Sequence, residues 1–404
     1  MSTPAEAPVV IVGGAMGGLR AAEALRRAGY TGGVKVVGQE LHAPYNRPPL
    51  SKDVLSTVVT HEAVAFPERA ATADVDWVRG VSATDADLEA RTVTTDDGEV
   101  HPWKALVIAT GLRARRLALP ELPGRQAIRT LDDAIALRAQ LTDVARIVVL
   151  GSGFLGCEVA ATARKLGCDV TIVSPSDLPI VRPLGRLVAG EIQRRHEAKG
   201  VRFRLGRTVE QLDGEDRLTA VALDDGERIE ADVLVEAIGS DCNSEWLAGT
   251  PLDLTDGIRA DAAMRAVSTD GMAHDDVYVV GDIARFPNLM FDDVPRRVEH
   301  WNIPTDTGKR AGAVLASWLA NDGSFADAVA QPFTPMPSFW SNQFELALQA
   351  YGLPSLADED GIRLLDGELS GDAIVGYYRG DRLVGVVGLG MKAALLPYRA
   401  TIAG

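Results

Sequence analysis

The sequence predicts an α/β protein with two parallel-sheet domains of one plan and a smaller C-terminal α+β domain. An apolar strand, a glycine-rich turn and an alanine-rich helical stretch occur in that order at 9–18 and again at 147–156. Each copy leads into a second apolar strand, which completes a β-α-β unit, and the last part of the chain alternates like antiparallel strands. With 404 residues, 46% of them hydrophobic, the chain can form two or three domains with buried cores.

The first glycine turn is Gly13-Gly14-Ala15-Met16-Gly17-Gly18, and Gly29 marks the end of the helical stretch 19–28 that follows. Glycine permits a sharp turn and a close approach of backbone to phosphate, and a helix N-terminus adds partial positive charge. The pattern therefore indicates a pyrophosphate site. Ala15 stands where the second glycine of G-x-G-x-x-G is expected, so this copy is the weaker match.

The second glycine turn has the full G-x-G-x-x-G pattern, with Gly151, Gly153 and Gly156. Gly167 ends the helical stretch that follows, and 170–173 is the next apolar strand. One such turn is weak support for a nucleotide site because it can simply join a strand to a helix. Two in one chain indicate two bound dinucleotides, and the usual reason for that pairing is electron transfer between them.

The two domains repeat a common order of elements. Each has an Asp-Asp-Gly hairpin turn, at 96–98 and 224–226, followed by a closing strand that ends in glycine. The strand 277–280 and the helix 305–320 then rejoin the first domain, and Gly380-Asp381 predicts a hairpin turn in the third. The predicted boundaries are 1–115 with 241–322 for the first domain, 116–240 for the second and 323–404 for the third.

Composition excludes several classes of function. A net charge of −15 argues against general affinity for nucleic acid or for anionic membranes. Cys157, Cys168 and Cys242 form no C-x-x-C pair, so the sequence has neither a zinc signature nor a redox-active disulfide motif, and no metal site is predicted. Neither a leader peptide nor a membrane-length apolar run is present, which predicts a soluble, cytoplasmic protein.

Further motifs along the chain together resemble one family. It is the oxygenase-coupled NAD(P)H-dependent ferredoxin reductases, which includes the putidaredoxin and rubredoxin reductases and has a glutathione-reductase-like fold. The strings that carry the resemblance span nearly the whole chain, and the first and last are highly specific to this group. They are Pro-Tyr-Asn-Arg-Pro-Pro-Leu-Ser-Lys at 44–52, Ala-Thr-Gly at 109–111, Arg-Thr-Leu at 129–131, Val-Gly-Asp at 280–282, Val-Glu-His-Trp at 298–301 and Phe-Trp-Ser-Asn-Gln at 339–343.

The resemblance implies FAD in the first domain, NADH in the second and a C-terminal domain that covers the flavin. The reaction would transfer a hydride from nicotinamide to flavin N5, and single electrons would pass to a ferredoxin of the [2Fe–2S] type. That ferredoxin would supply a P450 or a ring-hydroxylating dioxygenase. A flavin suits this role because it accepts two electrons together and releases them singly.

The resemblance also implies the FAD contacts. Lys52 is expected near flavin N5, Asp282 at the ribityl chain, and Trp301 at the pyrimidine edge beside a helix N-terminus that stabilises a reduced ring. The plainer interpretations are a solvated lysine for Lys52 and an N-cap aspartate for Asp282. The full set is Gly13, Gly14, Ala15, Gly17, Gly18, Gln39, Glu40, Arg47, Lys52, Ala83, Thr110, Gly111, Arg129, Gly281, Asp282, Glu299, His300 and Trp301.

In the second domain the resemblance implies that Glu158 orients the nicotinamide amide. A partly buried carboxylate needs a partner, and Lys52 is the candidate. Trp340 is expected beside the isoalloxazine, or else as a simple core tryptophan, so Lys52, Glu158 and Trp340 are the expected catalytic residues. The nucleotide-binding set is Gly151, Gly153, Phe154, Leu155, Gly156, Glu158, Ser174, Ile238 and Gly239.

Three positions leave alternatives open. Gln39 occupies the slot for the residue that binds the FAD ribose, and Glu40 follows it, so either can be the acceptor. Ser174 and Pro175 follow the second strand of the nucleotide domain at 170–173, where NADH sites typically have a carboxylate and NADPH sites an arginine; the nearest such residues are Asp177 and Arg182. Family habit favours NADH, with NADPH as the alternative. Cys242 stands where the family often has proline, so the backbone of that loop can differ.

Other functions fit less well. A disulfide reductase or cysteine-dependent oxidase needs a cysteine early in the first domain, and a membrane quinone reductase needs an amphipathic C-terminal anchor. A flavoprotein that senses NAD(H), related to apoptosis-inducing factor, shares most of the motifs and is the alternative from a different class. An acidic ferredoxin would need a local basic rim on this acidic protein. The candidates for that rim are Arg296, Arg297, Lys309 and Arg310.

Overall fold

A computed structural model of the chain describes residues 7–57 and 60–404. Its α-helices are α1 (Met16–Arg27), α2 (Asp53–Ser56), α3 (His61–Val64), α4 (Leu131–Arg138), α5 (Phe154–Lys165), α6 (Val181–Ala198), α7 (Ile303–Ala320), α8 (Phe325–Ala330) and α9 (Leu396–Ala403). Its strands are β1 (Val9–Val12), β2 (Val34–Gly38), β3 (Asp76–Arg79), β4 (Ala83–Asp87), β5 (Thr92–Thr95), β6 (Val100–Pro102), β7 (Ala105–Ile108), β8 (Leu112–Ala114), β9 (Arg125–Ala127), β10 (Arg146–Leu150), β11 (Asp169–Ser174), β12 (Arg202–Leu205), β13 (Val209–Asp213), β14 (Ala220–Leu223), β15 (Arg228–Glu230), β16 (Val233–Glu236), β17 (Ser240–Cys242), β18 (Ile258–Arg259), β19 (Arg265–Val267), β20 (Ala273–Val279), β21 (Ala284–Pro287), β22 (Pro295–Arg297), β23 (Ser338–Gln343), β24 (Leu346–Gly352), β25 (Ile362–Gly367), β26 (Ala373–Arg379) and β27 (Arg382–Leu389).

The chain divides into two compact units. Unit 1 comprises Met1–Asn46, Val64–Arg113 and Cys242–Pro337, and unit 2 comprises Arg47–Ala63, Ala114–Asp241 and Ser338–Gly404.

Unit 1 is built on a six-stranded sheet in the order β19-β20-β7-β1-β2-β3. The strands β1, β2, β3, β7 and β20 run parallel. The central strands β1 and β7 are apolar and buried along their whole length, as is typical of a parallel sheet covered on both faces, whereas the edge strand β3 is partly exposed. Because the strands are parallel, the residues that follow them come together at one edge of the sheet. This edge positions the first candidate site.

Two helices of unit 1, α1 and α7, pack closely because glycine lies at their contact. A Cβ atom at Gly308 would lie 2.8 Å from the carbonyl oxygen of Gly17, and one at Gly312 would lie 2.6 Å from the Cβ of Ala24. Such a contact cannot admit a methyl group without moving a helix. The packing holds the N-terminus of α1 at the carboxyl edge of the sheet.

Unit 2 contains a second parallel sheet, in the order β12-β11-β10-β16-β9. Helix α5 connects β10 to β11, and the antiparallel insert β13-β14-β15 carries the predicted turn, in which Gly226 has a φ of +86°. This is the strand–helix–strand plan of unit 1 in a second copy, as the repeated motifs predict.

The C-terminal part of unit 2 is an antiparallel sheet in the order β23-β24-β27-β26-β25. Gly380, with a φ of +59°, makes the predicted hairpin turn between β26 and β27. The predicted fold class, two Rossmann-like domains and a C-terminal α+β domain, is therefore confirmed. The predicted domain boundaries remain a prediction. Among the described residues, no helix combines the length and the apolar character needed to cross a membrane.

The predicted helix starts need correction. Helix α1 begins at Met16 and α5 at Phe154, three residues before the predicted starts at 19 and 157. Gly17, Gly18 and Gly156 therefore lie inside the first turns of these helices, where their missing side chains let helix and strand pack closely. Sequence reasoning treated glycine as turn rather than helix and so placed both starts too late.

We expect Gly312→Ala to lower the free energy of unfolding by about 1–3 kcal/mol, because the new methyl group overpacks the contact with α1. The matched control is Gly190→Ala in α6, where no atom of the described residues lies within 4 Å of the added Cβ. That control should be neutral or stabilising by up to about 1 kcal/mol. Urea unfolding followed by circular dichroism measures both, and equal effects would contradict the packing argument.

Candidate functional site

The glycine turn of unit 1 leaves no room for a side chain at Gly13 or at Gly18. Gly13 has a φ of +119°, and a Cβ on it would lie 2.1 Å from the carbonyl oxygen of Ala109 at the end of β7. A Cβ on Gly18 would lie 2.1 Å from the carbonyl oxygen of Gly13. Helix α1 then begins with Ala15 at its N-cap, which has no side-chain oxygen to bond to the first N–H groups. Those groups are left for an anion, so the turn fits the pyrophosphate of FAD.

The carboxyl edge of the same sheet gathers most of the predicted FAD-binding residues. Thr110 and Gly111 follow β7, Gly281 and Asp282 follow β20, and Gln39 and Glu40 follow β2. The glycine turn follows β1 in the centre. Parallel pairing of these strands is the reason that residues from four distant parts of the chain share one edge.

Hydrogen bonds fix this edge. The Thr110 hydroxyl donates to the carbonyl of Asn243 at 2.7 Å, and the Asn243 side-chain amide donates to the carbonyl of Thr110 at 3.0 Å. The Thr307 hydroxyl accepts from the N–H of Gly281 at 3.0 Å. Asn243 and Thr307 were not predicted. Asn243 follows Cys242, which stands where the family often has proline. That difference was the one feature of the sequence that drew attention to this loop.

Glu40 and Gln39 differ in their surroundings. The hydroxyl of Tyr45 donates to the carboxylate of Glu40, whereas Gln39 is exposed. Tyr45 belongs to the specific string at 44–52. This bond gives Glu40 a defined position just beyond β2, but the choice of ribose acceptor stays a prediction for both residues.

The string Glu299-His300-Trp301 lies between β22 and α7. The indole N–H of Trp301 donates to the side-chain oxygen of Asn46 at 3.0 Å. Burial lowers the pKa of His300 to about 4, so its ring is neutral at pH 7. Ala83 is the first residue of β4, in the small antiparallel sheet β4-β5-β6 of this unit.

The glycine turn of unit 2 repeats the first in its geometry. Gly151 has a φ of +108°, and its Cβ would lie 2.2 Å from the carbonyl oxygen of Ala237, while a Cβ on Gly156 would lie 2.0 Å from the carbonyl oxygen of Gly151. Gly153 differs, since no atom of the described residues lies within 4 Å of a Cβ there. The space beside Gly153 is open, as a pyrophosphate site at the start of α5 requires. Phe154 and Leu155 are the first residues of that helix.

The ends of the parallel strands supply the rest of this edge. Ser174 ends β11, and Ile238 and Gly239 follow β16. The buried hydroxyl of Ser174 lies 2.8 Å from that of Ser152. The next carboxylate, Asp177, pairs with Arg186 at 2.6 Å, and that bond holds the pKa of Asp177 below its usual range. Both partners are largely exposed, and they bring one charge of each sign close to the strand end.

Unit 2 also contains a buried polar cluster centred on Glu158, a residue that is 5% exposed. The Lys52 ammonium lies 2.7 Å from Glu158 Oε2, and the Ser51 hydroxyl donates to the same oxygen at 2.5 Å. The Ser341 hydroxyl donates to Oε1 at 2.6 Å. The ion pair between Lys52 and Glu158 that the sequence predicted is therefore present. Charge and hydrogen bonds together compensate the burial of this carboxylate.

Local structure explains why these side chains meet. Glu158 lies in the second turn of α5, and Ser51 and Lys52 follow closely after Pro48 and Pro49. Along β23, alternation places Ser341 on the face opposite to Trp340. Ser51 and Ser341 belong to the strings that carry the family resemblance, but no role was predicted for either. For Ser341, the two-residue period of β23 is the sequence signal that places it on the face opposite to Trp340.

The remaining predicted residues of unit 2 have other neighbours. The guanidinium of Arg47 donates to the carbonyl of Arg129 at 2.5 Å. Trp340 lies on the half-buried face of β23, while Phe339, on the face of Ser341, packs its ring 4.8 Å from that of Phe154. The structure thus joins Lys52 to Glu158 and places Trp340 on the other side of the strand.

The predicted basic rim is largely committed to internal partners. Arg296 pairs with Asp292, and Arg297 pairs with Asp256 at 2.7 Å and Glu299 at 2.8 Å. Arg310 donates to three backbone carbonyls, those of Ala262, Val329 and Gln331. Lys309 is exposed on the first half of α7. Of the four candidates, Lys309 is the exposed one, whereas Arg296, Arg297 and Arg310 are half-buried.

The cysteines of unit 2 are unsuited to redox chemistry. Cys157 and Cys168 are free and buried. Burial raises the pKa of both thiols above their ordinary value, so neither is a thiolate at pH 7.

Comparison with known proteins gives a consistent result. Residues 7–308 match the family model "Pyridine nucleotide-disulphide oxidoreductase" and residues 338–404 match "Reductase C-terminal". The ferredoxin reductase component of chlorobenzene dioxygenase from Cupriavidus sp. (strain PS12) is 38% identical, over 78% of this chain and 75% of that protein. Putidaredoxin reductase from Pseudomonas putida is 31% identical, over 94% of this chain and 87% of that protein. The solved covalent complex of putidaredoxin reductase with putidaredoxin superposes with a TM-score of 0.88 at 28% identity, covering 98% of this chain and 93% of that one.

We expect Gly153→Ala to weaken binding of NAD+ by about tenfold (~1.4 kcal/mol), because its methyl group enters the space required by the pyrophosphate. The free energy of unfolding should change by less than about 0.5 kcal/mol, since the backbone of Gly153 suits any residue. Calorimetric titration with NAD+ measures the affinity, and urea unfolding measures the stability. An unchanged affinity would contradict a dinucleotide at this turn.

Proposed function

Since the chain belongs to the pyridine nucleotide-disulphide oxidoreductase family, and within it to the ferredoxin reductases, we propose that it is an FAD-dependent oxidoreductase that passes electrons from NADH to a ferredoxin. The ferredoxin is of the [2Fe–2S] type and supplies a P450 or a ring-hydroxylating dioxygenase. The observation that carries the proposal is the pair of glycine turns, one in each unit, each with an open helix N-terminus.

The glycine turn of unit 1 would hold the pyrophosphate of FAD, and the turn of unit 2 that of the nicotinamide nucleotide. When bound, FAD supplies a centre that takes up a hydride and gives up electrons one at a time. The N–H groups at the starts of α1 and α5 stabilise the phosphate charge. Thr110 and Gly281 are held at the first edge by Asn243 and Thr307.

Glu158 and Lys52 would act on the nicotinamide end. The carboxylate of Glu158 accepts hydrogen bonds, so it can take the N–H of a carboxamide and fix the orientation of the ring. Lys52 compensates the charge of that buried carboxylate through an ion pair of 2.7 Å. Correct orientation is the main contribution that a protein makes to hydride transfer.

NADH is the proposed donor, supported by the names of the relatives, which are ferredoxin–NAD(+) reductases of dioxygenase systems. Ser174 at the end of β11 neither repels a 2′-phosphate nor binds a 2′-hydroxyl as a carboxylate would. A disulfide reductase is disfavoured because Cys157 and Cys168 are buried with raised pKa values. A cytoplasmic location remains part of the proposal.

Anaerobic titration of the purified protein tests the reaction. We expect NADH to bleach the visible flavin band stoichiometrically, at far lower concentration than NADPH, and the reduced protein to transfer electrons to a [2Fe–2S] ferredoxin. Bleaching by NADPH in preference would reverse the choice of donor. A flavin that neither nucleotide reduces, or that never passes electrons to a ferredoxin, would contradict the proposed function.

Lys309 is the proposed docking residue for an acidic ferredoxin. We expect Lys309→Glu to raise the KM for ferredoxin about three- to tenfold and to flatten its salt dependence, because a rim charge acts on association. Arg310 is a poor choice for charge reversal, since replacing it by glutamate would remove the hydrogen bonds that it donates to three backbone carbonyls. The matched control is Arg27→Glu, an exposed residue of the last turn of α1. Equal effects of the two variants would place docking elsewhere.

A further inference from the structure

The carboxylate of Glu158 is the end of a buried chain of hydrogen bonds. Ser341 Oγ lies 2.6 Å from Glu158 Oε1, and Gln343 Nε2 lies 3.0 Å from Ser341 Oγ. Gln343 Oε1 lies 2.9 Å from His196 Nε2, which belongs to α6. Ser341, Gln343 and His196 are each at most 1% exposed. All four residues lie in unit 2, so the chain links α5, β23 and α6 within one compact body.

Every donor in this chain points toward Glu158. The carboxylate can only accept, so the hydroxyl of Ser341 gives it its hydrogen, and the oxygen of Ser341 is left to accept from the Gln343 amide. The amide oxygen of Gln343 must then face His196, and it accepts from Nε2–H. The direction of each bond follows from the one before it, starting at the carboxylate.

His196 closes the chain as a neutral donor. Its ring lies 5.1 Å from the ring of Phe344 and 6.2 Å from that of Phe203, both at steep angles. Burial lowers the pKa of His196 below its ordinary value, against the opposing effect of the bond to Gln343. Among the described residues, no polar atom bonds to His196 Nδ1. The hydrogen is therefore on Nε2, which agrees with the direction of the chain.

A chain of bonds that all point one way strengthens each member, because every donor is polarised by the next acceptor. Lys52 and Ser51 occupy Glu158 Oε2, so the chain from β23 is what defines the position of Oε1. A buried carboxylate that accepts hydrogen bonds on both oxygens has one orientation. The Lys52 ammonium already compensates the negative charge, so the bond from Ser341 contributes chiefly to the position of Oε1.

We propose that Ser341, Gln343 and His196 are positioning residues that aim the carboxylate of Glu158 at the carboxamide of the nicotinamide ring. They touch no nucleotide themselves; they act through Glu158 by fixing Oε1. The proposal rests on the role that the proposed function gives to Glu158. It predicts that these hydrogen bonds affect recognition of the nicotinamide end of the dinucleotide and leave recognition of the adenine end unchanged.

The test compares two probes on the FAD-loaded protein by calorimetry: NAD+, and ADP-ribose, which lacks the nicotinamide ring. We expect Ser341→Ala to weaken NAD+ about tenfold while ADP-ribose stays within about twofold, because one charge-assisted bond to Glu158 is lost. Ser341→Thr keeps the hydroxyl and should restore NAD+ affinity. His196→Phe should weaken NAD+ binding in the same direction but by less, since His196 lies three hydrogen bonds from Glu158.

Tyr377→Phe is the matched control. It removes a fully buried bond of the same unit, from the Tyr377 hydroxyl to the carbonyl of Leu184 at 2.8 Å, which is not part of the chain. It should lower the melting temperature without changing the ratio of the two affinities. Equal weakening of both probes by Ser341→Ala would show a merely structural role and overturn the proposal.

Glu158→Gln distinguishes failure of the positioning proposal from failure of the proposed role of Glu158 in binding the carboxamide. If Glu158→Gln weakens NAD+ selectively but Ser341→Ala and His196→Phe leave the ratio unchanged, the positioning chain is overturned and the role of Glu158 stands. If Glu158→Gln itself leaves the ratio unchanged, the carboxamide role of Glu158 fails, and the chain fails with it. Selective losses in all three variants support both.

Discussion

One constraint governs both candidate sites: a parallel strand must pass into a helix at the carboxyl edge of its sheet with no side chain on the first residue of the turn. Gly13 and Gly151 satisfy it in the two units with φ values of +119° and +108°. A Cβ on either would overlap the carbonyl oxygen of a neighbouring strand end, that of Ala109 or of Ala237. The free N–H groups of α1 and α5 therefore face the sheet edge unobstructed, and residues from distant strand ends are gathered around them.

The buried carboxylate of Glu158 shows how a polar functional group is accommodated inside a core. Its desolvation is offset by the Lys52 ammonium and by hydroxyls from two segments, Ser51 and Ser341. Removal of one partner from such a cluster costs more than the bond itself, because the charge remains buried. This asymmetry is why residues that never touch a ligand can influence its binding.

Several arginines of this protein are bound to partners within their own unit. The net charge is −15, yet Arg296, Arg297 and Arg310 are held by carboxylates or backbone carbonyls of their own unit. A basic residue in the sequence is therefore a poor guide to a docking surface until its partners are known. Lys309 is the better candidate because it is exposed, whereas the guanidinium of the neighbouring Arg310 is bound to backbone carbonyls.

The sequence by itself determined the α/β class, the two glycine turns, the strands beside them and the hairpin turns at 96–98 and 224–226, because these depend on local backbone geometry and on short-range periodicity. It also predicted the ion pair of Lys52 with Glu158, since a buried carboxylate requires a cation. It placed the starts of α1 and α5 too late, because glycine inside a helix is unfavourable unless tertiary packing demands it. Only the tertiary structure decided that Ser341, Gln343 and His196 form one chain behind Glu158, and that Asn243 holds Thr110. Those contacts join residues far apart along the chain, and no local propensity encodes which strand face or helix turn will meet another.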